Sequence, residues 1–100
     1  MKTYRLLVRP EAEADLAGAY RWYEEKSDGL GAEFLRSVEA SLISLRKNPE
    51  SYQKIHKNIR RALIRRFPYG VFYVVEQSTV IVLAVFHVRR DPKLLRALKR

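Results

Sequence analysis

Residues 71–87 read VFYVVEQSTVIVLAVFH, and this stretch decides the fold. Its first part, Val71 to Glu76, is rich in β-branched and aromatic side chains, which predicts a strand. Val80 to His87 is a continuous apolar run, which predicts a second strand that is covered on both faces for part of its length. The polar residues 77–79 turn the chain, so the two segments are predicted to form a β-hairpin.

The sequence just before this hairpin has a weaker strand pattern. Residues 61–65, RALIR, predict a further strand, although their polar and apolar positions alternate poorly. Pro68-Tyr69-Gly70 predicts a turn or the entry to the next strand. The polar residues 50–58 are predicted to be a connection. The second half of the chain is therefore expected to be a three-stranded meander.

The first half predicts one strand and two helices. Residues 4–9 alternate and predict a short strand with one buried face. Pro10 occupies a favourable first helical position, and residues 10–27 repeat small and aromatic side chains at helical spacing. A glycine-containing break follows, and a second amphipathic helix ends at Asn48-Pro49. The short link between the helices predicts an antiparallel helical hairpin.

The predicted order of elements is β-α-α-β-β-β. This order indicates an α+β fold in which the N-terminal helical hairpin packs on one face of a small, mainly antiparallel sheet. The opposite face is expected to carry the arginines of the meander. Residues 1–100 are expected to form a single domain, with a flexible C-terminal tail from about residue 92.

The composition limits the class of protein. The chain has 100 residues, of which 47% are hydrophobic, and no cysteine, so disulfides and thiolate metal sites are excluded. No signal peptide is recognisable, and no apolar run approaches the ~20 residues of a membrane-spanning helix. We expect a soluble cytoplasmic protein that has no membrane partner.

The charge of the chain is concentrated in its second half. Residues 1–50 hold 8 Lys/Arg and 9 Asp/Glu, whereas residues 51–100 hold 12 Lys/Arg against Glu76 and Asp91. Like charges repel one another in the folded state, so this excess suggests an anionic partner such as a nucleic acid or an acidic protein.

Four arginines of the meander are candidates for binding that partner. If residues 60–66 are extended, Arg61 shares a face with Arg65, and Arg60 shares a face with Arg66. Guanidinium groups bind phosphates and carboxylates through paired hydrogen bonds. The alternative is a solvated strand edge on which the positive charges discourage pairing with other chains.

The end of the last strand holds a second candidate set. His87 is followed by Arg89 and Arg90, so the imidazole could act as a general acid or base while an arginine stabilises a charged phosphorus intermediate. The alternative is structural, because a lone histidine at a strand end often bonds to the backbone.

The remaining polar and aromatic residues are given structural roles. Most tyrosines are expected in the core, whereas Trp22 falls off the apolar stripe of the first helix and is expected to be partly exposed. The carboxylates of both helices are interpreted as surface and helix-dipole residues. They are Glu11, Glu13, Asp15, Glu24, Glu25 and Glu33. Neither a metal site nor a cofactor is expected.

The order and spacing of several motifs give the chain a family resemblance. They include Trp22-Tyr23 late in the first helix, Gly31-Ala32-Glu33-Phe34 at the start of the second helix, and Arg66-Phe67-Pro68-Tyr69. The most specific are residues 67–73, 82–87 and 89–92. The chain resembles the RelE/ParE superfamily of toxins from type II toxin–antitoxin modules, and its ending is similar to the ParE-type branch, often called plasmid stabilisation proteins.

The resemblance implies a growth-inhibiting toxin and a cognate antitoxin that is small, acidic and partly disordered. The two would form a hetero-oligomer, and the charge asymmetry suits this pairing. The residues expected to contact the antitoxin are Trp22, Arg61, Arg65, Phe72 and Arg90.

The resemblance also implies two possible targets. ParE-like members trap DNA gyrase on cleaved DNA, whereas RelE-like members cut mRNA on the ribosome and carry an arginine on the middle strand. That position corresponds to Gly70 here, which favours gyrase and a binding protein without an enzymatic reaction. The residues expected to contact the target are Arg60, Arg61, Arg65, Arg66, His87, Arg89, Arg90, Lys93 and Arg96.

Two other functions remain open from the sequence. A RelE-like endoribonuclease would use Arg65, Arg66, His87, Arg89 and Arg90 as its catalytic set. A basic domain that binds nucleic acid without toxicity would show salt-sensitive binding.

Overall fold

The computed structural model describes residues 3–90 and 93–98. Its elements run β-α-α-β-β-β-β-α, and the helical hairpin packs on one face of a sheet, which confirms the predicted α+β fold. The elements are β1 (Arg5–Val8), α1 (Pro10–Lys26), α2 (Leu30–Lys47), a 3-10 turn (Pro49–Ser51), β2 (Lys54–His56), β3 (Ile59–Leu63), β4 (Tyr69–Glu76), β5 (Thr79–His87) and α3 (Lys93–Ala97).

The five strands form one sheet in the order β1-β5-β4-β3-β2. β1 is parallel to β5, and the other neighbours are antiparallel. The hairpin of β4 and β5 lies in the middle of the sheet, and for this reason its residues are apolar on both faces. None of the described helices is long and apolar enough to cross a membrane.

Two predictions for the second half were wrong. The polar residues 50–58 contain β2, a strand that pairs with β3 across a turn in which Lys57 has φ 51°. β3 lies at Ile59–Leu63 and not at residues 61–65, because Arg66 has φ 71° and belongs to a turn. Arg65 and Arg66 are therefore not in the strand that carries Arg60 and Arg61.

The main core lies between the helical hairpin and the sheet. Fully or almost fully buried residues of the two helices, among them Phe34 and Leu45, pack against Val71, Tyr73 and Val82 of the sheet. Tyr23 is also buried, and its ring contacts the rings of Phe34, Phe67 and Tyr69 at centroid distances of 5.0 to 6.0 Å. These rings hold the N-terminal part of α2 against the end of the sheet.

The opposite face of the sheet is apolar at its centre. Phe72 and Phe86 are almost fully buried, with ring centroids 4.2 Å apart, and Leu98 at the C-terminal end of the described chain packs against this cluster. The expectation that this face carries the arginines of the meander was wrong for Arg60, whose side chain bonds to carbonyl groups on the helix side. Arg61 lies on the opposite face, since it alternates with Arg60.

The structure describes only part of the C-terminal segment that was expected to be a flexible tail. Residues 93–97 form the short helix α3. Residues 92, 99 and 100 of the expected tail lie outside the described residues.

Candidate functional site

Parts of both arginine sets predicted from the sequence approach the same end of the sheet, which we call the cationic end. Leu63 pairs with Gly70, and Gly70 pairs with Phe86, so the end of β3, the start of β4 and the end of β5 lie side by side. Arg65 and Arg66 leave β3 at this end, and Arg89 and Arg90 leave β5 there. The connection between α1 and α2 lies nearby, because Glu33 pairs with Arg66 at 3.2 Å.

A groove of about 600 Å³ opens between α1 and the ends of β4 and β5. We call it the α1 groove. Its walls are mostly apolar and aromatic, with four titratable side chains and the cation Arg90 among them. The residues that line it are Ala14, Asp15, Gly18, Ala19, Trp22, Tyr23, Pro68, Tyr69, Val85, Phe86, His87 and Arg90.

Inside this groove, Asp15 of α1 accepts a backbone hydrogen bond from β5 where β1 no longer pairs with it. The backbone N–H of Val85 donates to Oδ2 of Asp15 at 2.9 Å. β1 pairs with β5 only as far as Val82, so the Val85 N–H would otherwise lack a partner in the sheet. Burial raises the pKa of Asp15 above its usual value, and the Val85 N–H and the charge of Arg90 offset part of this effect.

His87 lies at the mouth of the α1 groove. The backbone N–H of Arg89 donates to Nδ1 of His87 at 3.0 Å, which fixes the orientation of the imidazole. Its ring lies 5.5 Å from the ring of Tyr69, measured between centroids. Burial raises the pKa of the Tyr69 hydroxyl, while Arg90 acts in the opposite direction. The guanidinium of Arg90 also lies over the ring of Phe86, at 5.6 Å.

A second groove, of about 760 Å³, runs along the other side of the helical layer. We call it the α2 groove, because small side chains of α2 form one wall. The opposite wall includes Leu63, which is 60% exposed, and the arginines that follow β3. Arg66 is engaged by Glu33 of α2, and Arg65 is exposed.

Arg60 does not belong to the cationic end. Nη1 of Arg60 donates to the carbonyl oxygens of Glu50 and Tyr52, at 3.1 and 2.6 Å, so its guanidinium holds the connection after α2. The side-chain stem of Arg61 covers Gly70, and its Cγ lies 3.0 Å from the place where a Cβ of Gly70 would be.

The other predicted contact residues differ in accessibility. Trp22 is 51% exposed, as predicted, with its ring edge-on to Tyr23 and Nζ of Lys26 at 4.7 Å from its centroid. Phe72 is only 2% exposed, so a partner can contact it only if the residues packed around it move. Lys93 and Arg96 are exposed on α3, outside both grooves.

The sequence did not point to Asp15, Tyr69 or Gly18 as members of a site. Asp15 was interpreted as a surface residue of α1, and only the crossing of α1 over the end of β5 gives it a partner. In residues 3–90 and 93–98, no three His, Asp or Glu side chains lie close enough together to hold a metal ion.

Comparisons with known proteins agree with this architecture. A family model described as ParE toxin of type II toxin-antitoxin system, parDE, matches residues 6–92. No curated protein sequence matches the chain.

Three solved structures show the same fold. The chromosomal ParDE TA system from P. aeruginosa matches with a TM-score of 0.78 and 15% identity, over 87% of this chain and 98% of that chain. The toxin–antitoxin complex RelBE2 from Mycobacterium tuberculosis matches with a TM-score of 0.65 and 21% identity, over 91% of this chain and 97% of that chain. A mutant of E. coli toxin RelE in the free state matches with a TM-score of 0.69 and 15% identity, over 95% of this chain and 94% of that chain.

Proposed function

Because this chain belongs to the ParE toxin family of type II toxin–antitoxin systems, we propose that it inhibits bacterial growth by binding DNA gyrase. In this proposal the toxin holds gyrase on cleaved DNA and catalyses no reaction of its own. A small acidic antitoxin neutralises it by covering part of the same basic surface.

The observation that carries the proposal is the closed surface at Gly70. A Cβ at this position would lie 3.0 Å from Cγ of Arg61 and 3.2 Å from Cε1 of Phe72. RelE-like nucleases, by the resemblance described above, need an arginine at this point of the middle strand. Gly70 has no side chain, and one added here would press its two neighbours apart by a few tenths of an ångström, so the charge stabilisation that phosphoryl transfer requires is missing from this position.

The α1 groove offers few free groups for proton transfer. Nδ1 of His87 accepts the N–H of Arg89, so Nε2 is the ring nitrogen left to donate or accept a proton. The carboxylate that lines the same groove, Asp15, already accepts the N–H of Val85. The groove therefore offers aromatic contact area and a cation, which are typical of protein interfaces.

The antitoxin partner is supported by the comparisons and by the charge. Two of the similar structures are toxin–antitoxin systems. Residues 51–100 carry 12 Lys/Arg against two acidic residues, so an acidic segment gains charge-assisted contacts that offset the cost of ordering it.

Expression in bacterial cells tests this function. The wild-type chain should stop growth and produce DNA breaks that depend on gyrase, and co-expression of the antitoxin should restore growth. Total mRNA should stay intact. Ribosome-dependent cuts in mRNA without gyrase-linked breaks would replace the proposal with the endonuclease alternative.

Two charge reversals sharpen the test. Arg89→Glu alters an exposed residue at the cationic end of the sheet, and Arg5→Glu makes the same change at the opposite end, where Arg5 pairs with Thr79. We expect Arg89→Glu to need at least about tenfold more inducer than wild type for the same growth inhibition, because charges at the rim of an interface speed association. Arg5→Glu should remain close to wild type, and equal effects would argue against a localised target surface.

A further inference from the structure

Gly18 occupies the interior of α1 without any reason in the fold. A Cβ built on it meets no heavy atom within 4 Å. Glycine destabilises a helix interior relative to alanine, so a position with free space would be better filled. Gly31 is different, because its Cβ would lie 2.7 Å from the carbonyl oxygen of Tyr20. Internal packing thus explains Gly31 and leaves Gly18 unexplained.

The free space beside Gly18 is the α1 groove. Trp22 lies one helical turn further along the same face of α1 and is half exposed, which is unusual for the largest apolar side chain of the chain. With no side chain at residue 18, an incoming group can approach the backbone of α1 closely. Trp22 and Tyr69 would then flank that group.

The composition of the groove restricts what can bind there. Its aromatic and aliphatic walls suit a bulky apolar side chain, which supplies most of the energy when it is buried in such a pocket. Arg90 also lines the groove and interacts electrostatically with both Asp15 and Tyr69. Because Asp15 is bonded to the Val85 N–H, Arg90 is the group best placed to receive a carboxylate from outside.

We propose that the α1 groove receives one bulky apolar side chain of the antitoxin directly over Gly18, with a neighbouring carboxylate of the antitoxin on Arg90. This inference rests on the proposed antitoxin partner and adds the place and chemistry of its anchor. The net charge of +9 favours an acidic segment over a basic one as the occupant.

Filling the groove from within tests the inference. Gly18→Leu places a side chain in the open space and improves helix propensity, so the variant should fold at least as stably as wild type, which a thermal melt checks. Ala17→Leu, which adds an apolar side chain at an exposed position of α1 outside the groove, is the matched control. The probe is the purified small acidic protein encoded by the adjoining reading frame, and its affinity is measured by titration calorimetry.

We expect Gly18→Leu to weaken antitoxin binding at least about thirtyfold, the loss typical of an interface hot spot. Gly18→Ala should lose an intermediate amount, since even a methyl group keeps the incoming group away from the α1 backbone. Ala17→Leu should stay within about threefold of wild type. Wild-type affinity for Gly18→Leu would overturn the inference. Lost growth inhibition with unchanged antitoxin binding would overturn it as well, because the groove would then serve the target.

A pair of charge reversals tests the carboxylate contact separately. Arg90→Glu alters the α1 groove, and Arg36→Glu makes the same change in the α2 groove. Arg90→Glu should weaken binding at least about tenfold more than Arg36→Glu, and equal losses would contradict the assignment. If wild-type toxin fails to bind the probe, the proposed partner itself is wrong. If it binds and Gly18→Leu binds equally well, only the anchor is wrong.

Discussion

The carboxylate of Glu24 in α1 accepts the backbone N–H of Gly31 in α2, with 2.8 Å between Oε1 and the nitrogen. Its other oxygen accepts the N–H of Gly29 at 2.9 Å. Gly29, the residue before α2, has φ 87° and no side chain that could cap the helix. Glu24 therefore satisfies N–H groups at the start of α2 that would otherwise lack a partner, and it ties the two helices together.

This contact predicts a pH-dependent contribution to stability. The hydrogen bond from Gly29, followed by those from Gly31 and Ala32, lowers the pKa of Glu24 below its usual 4.5, although partial desolvation opposes them. A carboxylate with a depressed pKa in the folded state stabilises the protein above the unfolded pKa, and this stabilisation is lost as the pH falls through the folded pKa.

We therefore expect Glu24→Gln to be less stable than wild type at pH 7 in urea denaturation. The difference should shrink steadily as the pH falls through about 4.5 and below. Glu25→Gln, which changes an exposed neighbour, is the control. A difference between Glu24→Gln and wild type that stays constant down to pH 2 would show that the charge has no part in the contact.

The close approach of the helices at Gly31 gives a second prediction. Its Cβ would lie 2.7 Å from the backbone carbonyl oxygen of Tyr20, which cannot move without shifting α1. Gly31→Ala should destabilise the protein by about 1–3 kcal/mol. Gly18→Ala, in the same helical hairpin but beside open space, should stabilise it by about 0.5–1 kcal/mol. Chemical denaturation of both variants measures the contrast, and shifts of the same sign would contradict it.

The buried hydroxyl of Tyr73 gives a third prediction. It donates to the carbonyl oxygen of Pro49 at 2.7 Å, and burial raises the pKa of Tyr73 far above its usual 10.0, so the proton stays in place. Tyr73→Phe should cost about 1–3 kcal/mol, because it leaves a buried carbonyl without its donor. Tyr52→Phe loses only an exposed contact with Ser44 and should cost less than about 0.5 kcal/mol. Equal losses would mean that the Tyr73 bond contributes nothing specific.

The fold was predictable where composition and periodicity are strong. The β-branched, aromatic and apolar runs predicted both strands, although β4 begins at Tyr69 and not at Val71 and β5 begins at Thr79 and not at Val80. Pro10 marked the start of α1, and Asn48-Pro49 marked the end of α2. β2 was missed because its residues are polar and depend on a turn at Lys57 with φ 51°. A short segment without alternating polar and apolar residues gives little indication of where a strand begins and ends.

The site was harder to predict than the fold, because it depends on tertiary contacts. Arg60 is adjacent to Arg61 in sequence, yet its guanidinium bonds to carbonyl groups of the connection after α2. Asp15 obtains its partner 70 residues later in the chain, at Val85. No local sequence pattern predicts either contact. The strand-end set was accessible to sequence reasoning, since His87, Arg89 and Arg90 directly follow the most apolar strand.

The role of His87 gives a fourth prediction. His87→Gln keeps a side chain that can accept the N–H of Arg89 but removes a group that exchanges protons near neutral pH. A binding toxin should retain growth inhibition within a few-fold. An endonuclease that used His87 as its general acid or base would lose about 10²–10⁴-fold in cleavage rate. Loss of ribosome-dependent mRNA cuts together with toxicity, in a variant that still melts like wild type, would therefore support the enzymatic alternative.

The most direct measurement combines the purified protein with purified gyrase and supercoiled plasmid. After protein is removed with detergent and protease, linear plasmid should accumulate in proportion to the toxin added, and none should form without gyrase. In a parallel translation reaction, mRNA should remain uncut. Uncleaved plasmid at toxin concentrations that produce ribosome-dependent mRNA fragments would contradict the assignment of gyrase as the target.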